Sequence, residues 1–144
     1  MQSKVCKACG FIVLDLSEAE ECPVCGARSF EEQEQAVFKA GDKTDFAEGE
    51  KKHIPAIIVA NTCGLIEGCR DAFVTIGEVI HPMTVEHSIQ YIDFYLNKKF
   101  LARMQLQSKN INPGAMVHLK EAAGTLTVIE RCNLHGAWIN EVEL

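Results

Sequence analysis

No segment of this 144-residue chain approaches the ~18 to 20 consecutive apolar residues that a membrane-spanning helix needs. Its first residues carry no uninterrupted apolar run after a basic start, so the pattern of a secretory leader is missing as well. The chain is expected to be soluble and cytoplasmic, with no membrane partner. A basic excess is also lacking: 14 Lys and Arg stand against 20 Asp and Glu, a net charge of -6. Nucleic acid is thereby excluded as the main partner, because neutralising phosphates takes clustered cations. Aromatic residues are few, with one Trp and two Tyr, and no chemistry is assigned to Trp138 or to the tyrosines. What the chain does have is 47% apolar residues, enough for a real core at this length, together with seven cysteines and five histidines. Two cysteine pairs stand at CxxC spacing, which in an intracellular chain reads as metal binding ahead of disulfides.

The first pair is Cys6-Lys7-Ala8-Cys9-Gly10 and the second Cys22-Pro23-Val24-Cys25-Gly26, with twelve residues between Cys9 and Cys22. Two such knuckles bring four thiolates onto one tetrahedral ion, and the glycine after each second cysteine lets the backbone turn so that amides point at sulfur. So small a segment, poor in large apolar side chains, is expected to draw its folding energy from the ion. Spacing alone leaves a structural zinc ribbon and a redox iron both open. The pattern resembles the short rubredoxin domain of rubrerythrins, which implies an iron that carries one electron.

Residues 1–36 are assigned to this four-cysteine module and residues 37–52, polar and acidic, to a linker or extended lead-in. From residue 53 to 144 short runs rich in β-branched and aromatic residues alternate with turn signals. Seven strands are predicted: 54–60, 72–80, 89–96, 100–107, 116–120, 125–131 and 137–142. The run 100–107 alternates as a half-buried strand does. Ile89 to Leu96 also fits helical spacing and is taken as a strand because Tyr91, Ile92, Phe94 and Tyr95 favour a pleated surface. The fold class is mainly β, a small metal knuckle followed by a seven-stranded β-sandwich with no convincing helix.

Four of the five histidines, His53, His81, His87 and His135, fall at strand ends and loops, as does Cys132, the cysteine with no near partner in sequence. His53 is expected to open the first strand. A thiolate and four imidazoles suit iron, copper or zinc and not magnesium or calcium, which want oxygen. A single such histidine is more often bound to nothing; the set of five residues points to one ion. His118 lies inside a strand, matches no motif and reads as a plain exposed residue.

Lys52-His53-Ile54-Pro55, His81-Pro82-Met83-Thr84-Val85-Glu86-His87 and Cys132-Asn133-Leu134-His135-Gly136, in that order, resemble the superoxide reductase family, also called desulfoferrodoxin or neelaredoxin. The resemblance spans roughly residues 50 to 144. It implies an immunoglobulin-like sandwich and a ferrous centre with His53, His81, His87 and His135 around it and Cys132 as the axial thiolate. One position then stays open for superoxide, which accepts an electron and leaves as hydrogen peroxide. The axial thiolate donates electron density, the lever it exerts in haem enzymes.

The family has a Glu-Lys pair directly before the first histidine, the lysine attracting superoxide and the glutamate able to bind the oxidised iron. Lys52 matches the lysine. Lys51 stands at the glutamate's position, with Glu50 one place earlier, so Glu50 serves only if the loop shifts by one residue. The resemblance further implies a rubredoxin-like electron donor and a homodimer or larger homo-oligomer. Cys63 and Cys69 lie outside the family pattern. They are expected to be free thiols in a reducing compartment, and two ligands alone do not predict a third metal site. The rival reading is a non-catalytic, redox- or metal-responsive binding protein with a structural zinc ribbon.

Overall fold

A computed structural model describes residues 2–43, 47–120 and 123–144; residues 44–46 of the expected lead-in lie outside it. The elements in chain order are β1 (Ser3–Cys6), a 3-10 turn (Leu16–Glu18), β2 (Phe30–Gln33), β3 (Val37–Phe38), α1 (Ala47–His53), β4 (Pro55–Val59), β5 (Arg70–Ile76), β6 (Ile89–Leu96), β7 (Lys99–Gln105), β8 (Gly114–Leu119), β9 (Thr125–Cys132) and β10 (Gly136–Glu143). β1 and β2 form an antiparallel ribbon beside the cysteines. The other strands form two sheets, ordered β3-β10-β9-β6-β7 and β4-β5-β8. None of the described helices is long and apolar enough to cross a membrane.

The core between the sheets follows the two-residue period of the strands. On β5, Ala72, Val74 and Ile76 are buried while Phe73 between them is exposed. They pack with Ile89, Ile92 and Phe94 of β6 and with Leu126, Val128 and Cys132 of β9. The β6 sequence looked helical because its other face is covered too. Tyr95 and Ile129 on the outer face of the large sheet share a second core with Val5, Phe11, Ile12 and Val13 of the cysteine module. A strand buried on both sides reads as a near-continuous apolar run, without alternation.

The cysteine module is therefore seated on the sandwich. Phe11 stacks on Tyr95 with centroids 5.5 Å apart and meets Phe100 edge-on at 5.7 Å. The Tyr95 hydroxyl donates to the Ile12 carbonyl at 2.7 Å, and Glu18 accepts from the Phe100 amide at 3.1 Å. Arg103 binds both carboxylate oxygens of Asp93, at 2.5 and 2.7 Å, and donates to the Cys9 carbonyl at 2.8 Å.

All seven predicted strands are present as β4 to β10, and the lead-in is more structured than its polar composition suggests. Val37–Phe38 adds an eighth strand, parallel to β10, with Phe38 opposite Trp138. Helix α1 occupies residues assigned to extended chain, so His53 closes a helix and does not open a strand. Ala, Glu and Lys are good helix formers, but seven residues are too few to show a helical period. The helix ends where it does because Pro55 disfavours helical geometry at Ile54. The second predicted strand stops at Ile76, short of Ile80, because Gly77 is wedged under the end of α1. A Cβ there would stand 2.6 Å from the Lys51 carbonyl oxygen.

Candidate metal centres

The first centre is built by two tight turns. The amide of Gly10 donates to the Cys6 carbonyl at 2.9 Å and that of Gly26 to the Cys22 carbonyl at 2.8 Å, and both glycines take positive φ, +81° and +77°. Sγ of Cys6 lies 3.6 Å from that of Cys25, and Sγ of Cys9 lies 3.6 Å from that of Cys22. All four sulfurs fall within 4.8 Å of one another. Burial pushes the Cys9 and Cys22 thiols up, while an amide hydrogen bond from Ala27 pulls the exposed Cys25 down. Four converging sulfurs of this spacing fit a tetrahedral thiolate-bound ion.

The second centre gathers residues from separate places in the chain. His53 closes α1, His81 and His87 flank the loop after β5, and Cys132 and His135 form the turn between β9 and β10. The imidazoles form a ring in the order His53, His81, His87, His135, with neighbouring centroids 4.6, 4.5, 5.1 and 5.0 Å apart and 6.3 Å across from His53 to His87. Neighbouring rings stand edge to face, at 70° to 85°. Cys132 Sγ lies 3.7 Å from His135 Nδ1, and the amides of Leu134 and His135 point at the sulfur.

Three observations test whether this set suits a cation. His53 Nδ1 meets the Gly49 carbonyl at 2.6 Å and His81 Nδ1 meets the Pro82 carbonyl at 2.6 Å. A carbonyl only accepts, so both Nδ1 atoms carry hydrogen and both Nε2 atoms are left with lone pairs. Those two Nε2 atoms face each other at 3.2 Å, an arrangement that a cation relieves. His87 Nε2 is buried with no hydrogen-bond partner among the described residues. Burial also disfavours the charged form of three of them, pushing His81 down to about 4 and lowering His53 and His87. Burial raises the Cys132 thiol, so a metal must displace its proton.

Several residues to which the sequence reading gave no role hold this arrangement. Asn133 clamps the two loops together: its side chain accepts from the Ser88 amide at 2.9 Å and donates to the Glu86 carbonyl at 2.9 Å. Thr84 Oγ1 accepts from the His87 amide at 3.1 Å. The fully buried Trp138 lies against His53 with centroids 5.2 Å apart, and its indole donates to the His135 carbonyl at 3.2 Å. Being the single tryptophan, two places past Gly136, was the available signal. Glu130, on the inward face of β9 near Cys132, is fully buried with no hydrogen-bond partner for either oxygen among the described residues, and burial raises its carboxyl well above the usual range.

The two charged candidates separate. Lys52 is exposed, and its charge acts on His87. The Glu50 carboxylate accepts from the Gly41 amide at 3.0 Å.

Cys63 and Cys69 are joined in a disulfide, contrary to the expectation of free thiols. The hairpin loop between β4 and β5 brings their Cα atoms to 5.3 Å, within the usual range for a bridge. His118 is not a bystander either, since its Nδ1 lies 2.6 Å from Asp71 Oδ1.

A sequence profile of the desulfoferrodoxin family matches residues 45–141. A desulfoferrodoxin of Syntrophotalea carbinolica is 36% identical over 137 residues, 94% of this chain and 92% of that one. A superoxide reductase of Pyrococcus abyssi is 31% identical over 119 residues, 75% of this chain and 96% of that one. Among solved structures, the superoxide reductase from Nanoarchaeum equitans is similar at 29% identity and a TM-score of 0.55, covering 65% of this chain and 94% of that one.

Proposed function

Since the chain belongs to the desulfoferrodoxin family, we propose that it is a superoxide reductase, converting superoxide, one electron and two protons into hydrogen peroxide. The observation that carries this reading is the ring of four imidazoles closed by the Cys132 thiol. That donor set fits iron, and the four-cysteine set fits a second iron, with zinc as its structural alternative. When bound, the iron of the histidine and cysteine set supplies the electron to superoxide at an open position.

The chain's own residues do the rest. Gly49 and Pro82 carbonyls fix the His53 and His81 tautomers, so that Nε2 is presented to the ion. Trp138 walls off the inner side of His53. The Leu134 and His135 amides stabilise Cys132 as a thiolate. Superoxide is an anion approaching a chain of net charge -6, so attraction must be local, and Lys52 supplies it within a Debye length of roughly 8 to 10 Å. Glu50, held by Gly41, is not assigned the role of sixth ligand.

The donor is read as a rubredoxin-type protein. Residues 1–36 are read as the module where its electron enters, ahead of a lead-in at 37–52 and the sandwich at 53–144. The Tyr91 hydroxyl donates to the Gly10 carbonyl at 3.2 Å and accepts from Arg131 Nε at 3.1 Å, and Arg131 is the chain neighbour of Cys132. This hydrogen-bonded connection from the module to the residue before Cys132 supports the relay. The test is Cys132→Ser: superoxide reduction is expected to fall to the uncatalysed level while the four-cysteine centre keeps its spectrum. Unchanged turnover contradicts the proposal.

A further inference from the structure

Far from the imidazole ring, at the other end of β5, a second mixed cluster of sulfur, nitrogen and oxygen donors has no part in the reading above. Asp71 lies at the start of β5 and Ile76, next to the His53 helix, at its end, a separation of about 16 Å at the rise of a strand. Asp71 is paired directly with His118 across β5 and β8, so two rigid strands fix these side chains. Cys63 and Cys69 hang over them from the β4–β5 loop. One donor atom from each of the four residues falls within 4.8 Å of the others.

We propose that the dithiol form of Cys63 and Cys69, with Asp71 and His118, binds one zinc-class divalent ion, giving the chain a third metal site that its disulfide closes. Two thiolates, an imidazole and a carboxylate are the ligand types that zinc takes in four-coordinate sites. Zinc–sulfur bonds of about 2.3 Å place two tetrahedral sulfurs about 3.8 Å apart. Opening the disulfide lets the sulfurs separate to that distance within a cluster already no wider than 4.8 Å. His118 Nδ1 and Asp71 Oδ1 already stand 2.6 Å apart, and the ion takes the place of the proton they share.

The switch between the two states is a thiol–disulfide exchange. A dithiol reductant gives two electrons and two protons to the Cys63–Cys69 bond; that bond breaks, two thiols form, and the reductant becomes a disulfide. Ion binding then releases the two thiol protons to solvent. Cys63 is the accessible sulfur, since Cys69 is buried. β8 is an edge strand, so His118 is open to solvent on that side.

The experiment uses full-length, iron-loaded protein, either as the disulfide or reduced anaerobically with dithiothreitol and desalted. Each form is titrated with Co2+, and iron content is measured before and after. The reduced protein is expected to take up one further Co2+ per chain, with the intense visible bands of tetrahedral cobalt thiolate, and the disulfide form none. His118→Ala is expected to weaken that uptake about tenfold or more, with iron content and superoxide turnover unchanged. Cys63→Ser provides a second comparison and is expected to abolish the two-thiolate spectrum. Absence of further uptake by the reduced protein, equal uptake by the disulfide form, or full affinity in His118→Ala overturns the proposal.

Discussion

Tyr91, on β6 of the large sheet, donates its hydroxyl to the carbonyl of Gly10, in the first cysteine turn, at 3.2 Å. A Cβ on Gly10 would stand 2.6 Å from that hydroxyl oxygen, and the residue holds φ at +81°. Gly10→Ala therefore meets both backbone strain and a clash. It is expected to lower stability by about 1 to 3 kcal/mol and to loosen the module from the sheet. Urea unfolding of the metal-loaded variant measures the first effect, and faster proteolysis between residues 37 and 52 measures the second.

Asp93 and Arg103 form a buried ion pair under the same module, and Arg103 also donates to the Cys9 carbonyl. Arg103→Met leaves Asp93 buried without its counter-charge. Breaking such a pair costs about 3 to 5 kcal/mol, whereas Asp93→Asn combined with Arg103→Met is expected to recover part of the loss. Equal stability of the single and double variants contradicts this.

Without metal, stability is expected to fall with acid. Burial holds His81 neutral in the fold, with a pKa of about 4 against 6.5 in the unfolded chain. As pH drops the unfolded state takes up its proton first, so the His81 contribution is fully present above pH 6.5 and is lost between 6.5 and about 4. The loss amounts to at most about 3 kcal/mol. Denaturant midpoints of metal-free protein at neutral and acid pH check the sign, and a higher midpoint in acid contradicts it.

In the proposed reading Lys52 acts on superoxide through its charge. Lys52→Ala is expected to slow the second-order reaction with superoxide about two- to tenfold and to flatten its dependence on ionic strength, while the optical spectrum of the oxidised centre stays put. A rate that keeps its salt dependence assigns the attraction to other groups.

The four CxxC cysteines were legible because a four-thiolate site demands cysteines at fixed spacing, and the histidine and cysteine set because its soft donors fall in three blocks that resemble the superoxide reductase family. The strands of the sandwich were legible from β-branched and aromatic runs between turn signals, and in 100–107 from period two. Three features were not. Helix α1 is seven residues long and carries no apolar stripe, so the His53 backbone read as extended. The seating of the module on β6 hid in a strand whose two buried faces erase alternation. Asp71 and His118 are 47 residues apart and meet only through the pairing of β5 with β8, which no local pattern announces.

The most direct measurement is product stoichiometry. Anaerobically reduced, iron-loaded protein is mixed with known superoxide in the presence of a reduced rubredoxin-type donor, and hydrogen peroxide and oxygen are quantified together. Superoxide reduction predicts one peroxide per superoxide consumed, oxidation of one donor electron equivalent and no oxygen. Oxygen evolved at half the superoxide consumed, with the donor left reduced, means dismutation and contradicts the assignment.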